Sequence, residues 1–481
     1  MGGKWKPRVD VNDPKNARLV KLVDEMRREA RRRHGGNLTY EQRREAVAEV
    51  MADTLWLDVD KDLKELATDE DEIEIDGTRY RRLEQKSSGV YYSRWGSHKI
   101  VEPLYRAVGV HNGPTVKPLE HKAGMIARRM TPDLARLIGE LGADCNSREL
   151  ERTMRTVGMK PPSRSFLEKR LQQMAGDMAD TVEELEAAAR SQQPMTEAVA
   201  SVSCGMDRMA VRMSEPHSEP ENAPEPRRTT PYQRTPPAPR EHKYRMAWVG
   251  TATAYDKDGE PLHTWRYAAE ADAEPESIAR RVSADIAHLQ KDQPDLFINC
   301  IQDGARELDI LPNTLRATLP DTQIHELTDF EHLLGYLDKV VDACEPEDDP
   351  HQWKRWYRHE LLRDDNAIDR IWRKLRRLSK SLAKGAMTAR DAVAAALSYI
   401  RTRKEKMRYA SLYAANLAIG SGATEGTCGL MQQRVKRRGQ SWETRGLRGI
   451  LTLRGLVLSG RWRPAWDTYA AAHRSEVRIP T

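Results

Sequence analysis

Between residues 196 and 328 the chain alternates between short strand-like and helix-like segments, and this alternation limits the fold more than any other feature. TEAVASVSCGMDRMAVRM has strand-like alternation, and YRMAWVGTATAYDKDGEPLHTWRYAAE predicts a hairpin around Asp256–Gly259. EPESIARRVSADIAHLQKD predicts a helix, and DLFINCIQDGA and DTQIHEL predict two further strands. Strands and helices in this order predict a mixed α/β sheet.

Helix-like segments flank the predicted sheet on both sides. Residues 14–56 predict two helices, and an Asp-Gly turn between alternating segments predicts a small strand meander over 70–95. Residues 131–175 predict three short helices, with Ser147 as a candidate N-cap. Such a group is compatible with a helix-turn-helix DNA-binding module and equally with an ordinary helical hairpin. From 329 to 416 the pattern is helical, basic and rich in tryptophan, without a strand signal.

Charge and length indicate a protein of several domains with a polyanionic partner. The 481 residues allow two to four domains, and the net charge is +6. Basic residues cluster at 27–33, 354–379 and 434–454, which favours a phosphate-backbone partner over an even scatter of charge. The alternative is that each cluster is a solvated helix face. The proline-rich segment 214–243 predicts a loop.

Cysteine usage and hydropathy predict a cytoplasmic protein without a membrane partner. The five cysteines are scattered and include no CxxC pair, which argues against a zinc ribbon or a disulfide framework and is typical of a reducing compartment. No segment approaches the ~20 apolar residues of a membrane span, and MGGKWKPRVD lacks the apolar core of a signal peptide.

Three carboxylates occupy positions where separate elements of an α/β fold can bring them together. Asp207 lies on or at the end of the first strand, Asp303 follows the strand LFINCI, and Glu425 begins a late helix. Ligands of open α/β sheets bind at the carboxyl edge. Carboxylates gathered there suit a pair of magnesium ions in phosphodiester chemistry. The alternative for Asp303 is an ordinary Asp-Gly turn.

Glu425 stands in the glycine-rich stretch GSGATEG, which is followed by four basic residues, Arg434, Lys436, Arg437 and Arg438. The glycines are compatible with a simple helix-entry turn in which the helix dipole favours the carboxylate. A phosphate cradle is disfavoured, because no Lys-Ser/Thr pair follows the glycines and the carboxylate would repel phosphate. The stretch predicts a helix that carries all four basic residues, on which Arg434, Arg437 and Arg438 share a face and Lys436 lies on a different one.

With these residues in place, the sequence resembles an insertion-sequence transposase of the ISKra type, a branch of the DDE transposases. The resemblance is carried by GSGATEG, RVKRRGQSW and LRGILTLRGLVLSGRW near the C-terminus, by QDGA at 302–305, and by VSCGMDRMAV at 202–211. Similar blocks occur at 90–96 and 116–124, so the resemblance spans most of the chain.

The resemblance implies an RNase H-like α/β core, interrupted by a helical insertion and preceded by mainly helical DNA-binding modules. The expected regions are 1–125 (helices with a strand meander), 126–192 (helix-turn-helix-like), 193–328 (first part of the core), 329–416 (insertion) and 417–481 (second part of the core). It also implies that Asp207, Asp303 and Glu425 are the catalytic, metal-binding residues. DFEH (329–332) resembles the Asp-x-x-His of related families, which makes His332 a candidate accessory residue; the alternative is a capped helix start with an ordinary surface histidine.

The implied activity is magnesium-dependent cleavage of transposon ends, followed by joining of the 3′-hydroxyl to target DNA. Two Mg²⁺ ions, replaceable by Mn²⁺, would be the cofactors, and double-stranded DNA the partner. Arg434, Arg437 and Arg438 are expected to contact the DNA backbone. The protein would act as a homo-oligomer on DNA in the bacterial cytoplasm, associated with the nucleoid. Two alternatives remain: a non-catalytic DNA-binding regulator and an RNase H-like nuclease without strand transfer.

Overall fold

The computed structural model of the protein describes residues 13–193, 198–216, 240–344, 349–383 and 385–480. The chain divides into two compact units, one formed by Met1–Met174 with Asp467–Thr481 and the other by Ala175–Trp466. Within the described residues each unit contains a five-stranded sheet and several helices. The mixed α/β class predicted from the sequence is therefore confirmed.

The first unit is built around an antiparallel sheet. Its strands are β1 (Glu72–Ile75), β2 (Thr78–Ser93), β3 (Gly96–Ala107), β4 (Thr115–Val116) and β10 (Val477–Arg478), in the order β10-β1-β2-β3-β4. Asp76 and Gly77 join β1 to β2 with φ angles of 49° and 78°, as a two-residue hairpin turn requires. The predicted strand meander is confirmed, and it extends beyond residue 95.

Helices of the first unit follow the sequence pattern closely. They are α1 (Ala17–His34), α2 (Tyr40–Leu66), α3 (Pro118–Lys122), α4 (Pro132–Gly142), α5 (Ser147–Thr156) and α6 (Arg164–Asp180), the last of which continues past Met174. The two N-terminal helices and the three short helices of 131–175 are thus confirmed. The N-cap of α5 is Asn146 and not Ser147, because the Asn146 side chain accepts from the Glu149 amide while the Glu149 side chain accepts from the Asn146 amide.

A mixed sheet organises the second unit. Its strands are β5 (Ser201–Pro216), β6 (Arg240–Tyr255), β7 (Pro261–Ala269), β8 (Phe297–Gln302) and β9 (Ile324–Thr328), in the order β7-β6-β5-β8-β9. The first three form an antiparallel meander, whereas β8 and β9 run parallel to β5. The predicted proline-rich loop 214–243 lies mostly outside the described residues, since β5 extends to Pro216 and β6 begins at Arg240.

The remaining helices of the second unit come before, between and after these strands. They are α7 (Val182–Ser191), α8 (Pro275–Asp292), α9 (Ile310–Thr318), α10 (Phe330–Cys344), α11 (Pro350–Arg363), α12 (Ala367–Ser381), α13 (Met387–Arg403), α14 (Ala410–Ala414), α15 (Gly422–Val435), α16 (Thr444–Leu458) and α17 (Trp462–Ala471), which continues past Trp466. The described residues of 329–416 contain helices and no strand, as the sequence predicts.

The two faces of the mixed sheet have different partners. Because side chains alternate along a strand, Val202, Cys204 and Met206 of β5 pack with α8 in one buried cluster. Gly205 and Asp207 lie on the opposite face, against α15. Helices α10–α13 form a second buried cluster that includes Ile301 of β8 and Leu327 of β9.

A buried ionic cluster links α8 to the start of α17. Asp285 accepts hydrogen bonds from Arg461 at 2.8 and 2.5 Å, from Arg190 at 2.7 Å, and from the Tyr267 hydroxyl. Burial alone would raise the pKa of Asp285, but the two guanidinium groups hold that pKa below its ordinary value. The cluster is therefore charged and paired inside the second unit.

Candidate functional site

The parallel pairing of β5 with β8 brings Asp207 and Asp303 to neighbouring positions. The last paired residues are Cys204 and Cys300, and each aspartate follows three residues later on its own chain segment. β8 ends at Gln302, so Asp303 begins the loop at the carboxyl end of that strand. Asp207 is still within β5, opposite Val249 of β6. The register thus relates Asp207 on β5 to Asp303 at the start of the loop after the adjacent strand β8.

Gly205 allows the three elements that surround this position to approach one another. A Cβ atom at Gly205 would lie 2.6 Å from the Ile301 carbonyl oxygen and 2.8 Å from the Thr424 hydroxyl. Thr424 belongs to α15 and also forms a 2.6 Å hydrogen bond with Thr251 of β6. A residue without a side chain is therefore needed where β8 and α15 meet β5.

Helix α15 brings Glu425 toward Asp207. Cys428 lies three residues after Glu425 on α15, and its Sγ donates a 3.5 Å hydrogen bond to Asp207 Oδ2. Burial raises the pKa of the Cys428 thiol well above its ordinary value, and the charges of Asp207 and Glu425 raise it further. Two of the three predicted carboxylates therefore act on the same thiol.

Each predicted carboxylate has hydrogen-bond partners of its own. Asp207 Oδ1 accepts from the Arg208 amide at 2.6 Å, and Asp303 Oδ1 accepts from the Ala305 amide at 2.8 Å. Glu425 is exposed, and its Oε1 accepts from the Ser421 hydroxyl at 3.3 Å. Among the described residues no group of three or more His, Cys, Asp or Glu side chains is arranged to hold a metal ion.

Asp329 connects the end of β9 to the glycine-rich turn, a role that sequence reasoning missed. This residue is 1% exposed, and its Oδ2 accepts from the Ser421 amide at the start of α15. Its own amide donates to the Gln302 carbonyl at 2.8 Å. Asp329 is thus hydrogen-bonded both to the turn before Glu425 and to the last residue of the strand before Asp303. Ser421 lies 92 positions after Asp329, so no local sequence motif indicates this contact.

His332 lies on the surface, one turn into α10. Asp329 Oδ1 accepts from the His332 amide, which is the capped helix start that the sequence left as an alternative. The His332 ring is 6.0 Å from the ring centroids of both Tyr336 and Tyr399. A catalytic role for this histidine stays a prediction.

The basic residues after Glu425 do not form one helical face. α15 ends at Val435, so the expected continuous helix through Arg438 is wrong. Arg434 is 3% exposed, with its guanidinium 5.2 Å from the Trp442 ring centroid, and it packs inside the second unit instead of lying on the surface. Lys436 and Arg438 are exposed, and Arg437 is half-buried.

Side-chain hydrogen bonds stabilise the end of α15. Trp442 Nε1 donates to the Val435 carbonyl at 2.9 Å, and Arg437 Nε donates to the Gln433 carbonyl at 3.0 Å. These donors satisfy carbonyl groups that a helix end leaves without intrahelical partners. Gly439 then adopts a φ of 77°, which turns the chain away from the helix.

The three-helix group predicted to bind DNA presents basic residues to solvent. Arg148, Arg152 and Arg164 of α5 and α6 are exposed, whereas Leu150 and Met154 of α5 are fully buried. This division is typical of an amphipathic helix with one face packed and the other available for contacts.

In the part of the chain that the structure describes, no helix combines the length and the apolar character needed to cross a bilayer. Comparisons with family models, with curated proteins and with solved structures gave no match for the chain.

Proposed function

We propose that the protein is a DDE-type transposase with an RNase H-like core, which cleaves insertion-sequence ends and joins the 3′-hydroxyl to target DNA. The observation that carries the proposal is the parallel register of β5 and β8, in which Asp207 on β5 and Asp303 just after β8 each follow the last paired residues by three positions. The contact of Cys428 with Asp207 supports it, because Cys428 lies within a turn of Glu425 on α15.

Asp207, Asp303 and Glu425 would be the residues that hold the metal. All three offer only oxygen donors, which Mg²⁺ and Mn²⁺ prefer, so the donor chemistry fits the ion. When bound, a pair of such ions activates the attacking oxygen and stabilises the leaving oxygen of a phosphodiester. The hydrogen bonds from Arg208, Ala305 and Ser421 to these carboxylates come from residues within four positions in the sequence, whereas Asp207 also accepts from Cys428 of α15.

The chain itself would bind and orient DNA. Lys436, Arg437 and Arg438 follow the carboxyl end of α15, about 17 Å along the helix from Glu425 in its first turn, so a duplex that lies along α15 would contact these residues and reach Glu425. Such contacts position a duplex without reading its sequence. The exposed arginines of α5 and α6 are the proposed end-recognition surface, and we propose that the protein works as a homo-oligomer on DNA in the bacterial cytoplasm.

The proposal is tested with a duplex that carries the DNA flanking the coding sequence, incubated with and without Mg²⁺. We expect metal-dependent nicks at discrete positions, joining of the new 3′-ends to a second duplex, and neither product on a scrambled duplex. Asp303→Asn should abolish both products. Asp295→Asn, at the exposed amino end of β8, is the matched control and should retain them.

Other outcomes identify the alternatives. If the protein nicks the duplex but does not join the new 3′-ends to a second duplex, it is a nuclease without strand transfer. Selective binding of the flanking DNA without any nicking by the wild-type protein would assign a non-catalytic regulator, and either result would overturn the transposase proposal.

A further inference from the structure

Two side chains at the end of α13 hold the backbone of the loop that carries Asp303. The Tyr399 hydroxyl donates a 2.8 Å hydrogen bond to the Asp303 carbonyl. Arg403 Nε donates to the Gly304 carbonyl at 3.0 Å, and its terminal nitrogen reaches the same oxygen. Asp303 and Gly304 lie just past the last residue of β8, where the sheet no longer orders the backbone.

The conformation and small size of Gly304 allow its contact with Arg403. Its φ of 87° lies in the left-handed region that glycine tolerates best. A Cβ atom at this position would collide with the Arg403 guanidinium group. The loop therefore has the backbone conformation and the space that two-point contact with α13 requires.

Tyr399 and Arg403 are themselves fixed by their neighbours. The Tyr399 ring stacks on Tyr336 of α10 with centroids 4.2 Å apart and an angle of 17° between the rings. Arg403 lies 4.5 Å from the Tyr399 ring centroid and donates to the Thr402 hydroxyl at 2.8 Å. Burial raises the pKa of Tyr399 well above its ordinary value, so the hydroxyl is protonated near neutral pH.

The same helical region also holds the turn before Glu425. Asp329, which caps α10, accepts a hydrogen bond from the Ser421 amide. The Phe330 amide at the start of α10 also donates to the Ile419 carbonyl at 3.2 Å, so α13 contacts the segment that carries Asp303 and α10 contacts the segment that precedes Glu425.

We propose that Tyr399 and Arg403 are positioning residues for Asp303, and that the helical region 330–403 sets the spacing of Asp303 relative to Glu425. This inference rests on the proposed function. Residues that orient the ligands of a metal typically affect affinity by about 10–100-fold when they are removed, although they never touch the ion.

The test measures Mn²⁺ binding to the full-length protein by electron paramagnetic resonance of the free ion, without DNA. Tyr399→Phe removes one hydroxyl, and Arg403→Lys keeps the charge but loses the planar donor group. Each should raise the half-saturating Mn²⁺ concentration about tenfold. DNA nicking by both variants should recover at higher Mg²⁺, whereas the melting temperature and DNA affinity should stay at the wild-type values.

Matched controls make the same chemical changes nearby. Tyr336→Phe alters the ring stacked on Tyr399, and Arg401→Lys alters an exposed residue of α13, and neither removes a hydrogen bond to the Asp303 loop. Both should bind Mn²⁺ like the wild type.

The result that overturns the inference differs from the result that overturns the function. If Asp303→Asn loses Mn²⁺ binding while Tyr399→Phe titrates like the wild type, the positioning role fails and the metal site stands. If the wild type binds no Mn²⁺, or if Asp303→Asn binds it normally, the proposed metal site fails and the positioning role with it. Should Arg403→Lys fail to fold, the single-atom change in Tyr399→Phe decides alone.

Discussion

The Sγ atom of Cys428 lies 3.5 Å from Oδ2 of Asp207, although 221 residues separate them in the chain. This contact joins α15 to β5 at the level of the predicted carboxylates. The protonation of a buried thiol depends on the negative charge beside it. The reactivity of Cys428 therefore indicates whether Asp207 is charged.

Replacing Asp207 with Asn should make Cys428 more reactive. Burial and the charges of Asp207 and Glu425 all raise the pKa of this thiol, so removing one charge lowers that pKa and increases the thiolate fraction at a given pH. We expect the alkylation rate of Cys428 at pH 8–9 to rise by about tenfold, close to one pKa unit. Mass spectrometry of the labelled peptide measures it.

Cys344 provides the internal control for this measurement. Burial alone raises its pKa, so Asp207→Asn should leave its alkylation rate unchanged. An unchanged Cys428 rate, or an equal rise at both cysteines, would mean that Asp207 does not act on Cys428 specifically.

Gly205→Ala should destabilise the second unit by about 1–3 kcal/mol. The added methyl group would lie 2.6 Å from the Ile301 carbonyl oxygen, so either β8 or α15 has to shift away from β5. Chemical denaturation measures the free energy of unfolding, and Mn²⁺ affinity should fall together with it.

Gly426→Ala is the matched control on α15. A Cβ atom at Gly426 would have no heavy atom within 4 Å. Alanine is also more stable than glycine in the interior of a helix. This variant should gain about 0.5–1 kcal/mol of unfolding free energy. Equal losses for both variants would contradict the close approach at Gly205.

The sequence predicted much of this arrangement because its signals are local. Strand alternation places Asp207 on β5, and the apolar run before Asp303 places that residue at the end of β8. The hydrogen bond between Asp329 and Ser421 could not be predicted from the sequence. These residues are 92 positions apart, and their contact depends on how the helices between them fold. The resemblance named the three acids, whereas the structure relates Asp207 to Asp303 through the β5–β8 register and Glu425 to Asp207 through Cys428.

The prediction that Arg434, Arg437 and Arg438 share one exposed helical face is wrong, because the charge pattern does not show where α15 ends. Arginine and lysine are good helix formers, so RVKRRG carries no local stop before its glycine. The helix ends three residues before Arg438, where the side chains of Trp442 and Arg437 donate to carbonyl groups of its last turn. Arg434 is buried because its guanidinium packs over the same tryptophan, a tertiary contact that charge alone does not indicate.

Neutralising the basic residues after Glu425 should separate DNA binding from packing. Lys436→Gln with Arg438→Gln removes two exposed charges, so the slope of log affinity against log salt should flatten by about two units for all DNA sequences. Arg434→Gln should instead lower the unfolding free energy, because it removes a buried contact with Trp442. Fluorescence anisotropy over a salt series measures the slope of DNA affinity, and chemical denaturation measures the unfolding free energy. An unchanged slope in the double variant would show that residues 436–438 do not contact DNA.

The Asp285 cluster predicts an acid-sensitive contribution to stability. Its folded pKa is depressed, so the contribution of the charged form is fully present above the unfolded pKa of about 4 and is lost as the pH falls through the folded pKa. Asp285→Asn should cost about 3–5 kcal/mol at pH 7, because it leaves Arg461 buried without its counter-charge.

The difference between the wild type and Asp285→Asn should shrink below pH 4, as the wild-type carboxyl becomes neutral too. Asp292→Asn changes an exposed aspartate at the end of the same helix and should have little effect at either pH. A cost for Asp285→Asn that does not change with pH would show that the charge of Asp285 contributes nothing.

If Asp207, Asp303 and Glu425 hold one divalent-metal site, an ion bound there lies close to three separate segments of the chain. Loading the protein with Fe²⁺ and adding ascorbate and hydrogen peroxide generates radicals at the ion, and these cut the nearby backbone. We expect cuts in three segments, next to Asp207, Asp303 and Glu425, and we expect excess Mg²⁺ to suppress all of them and Asp303→Asn to remove them together. Cuts at only one of these segments, or a pattern that Asp303→Asn leaves unchanged, would contradict a shared metal site.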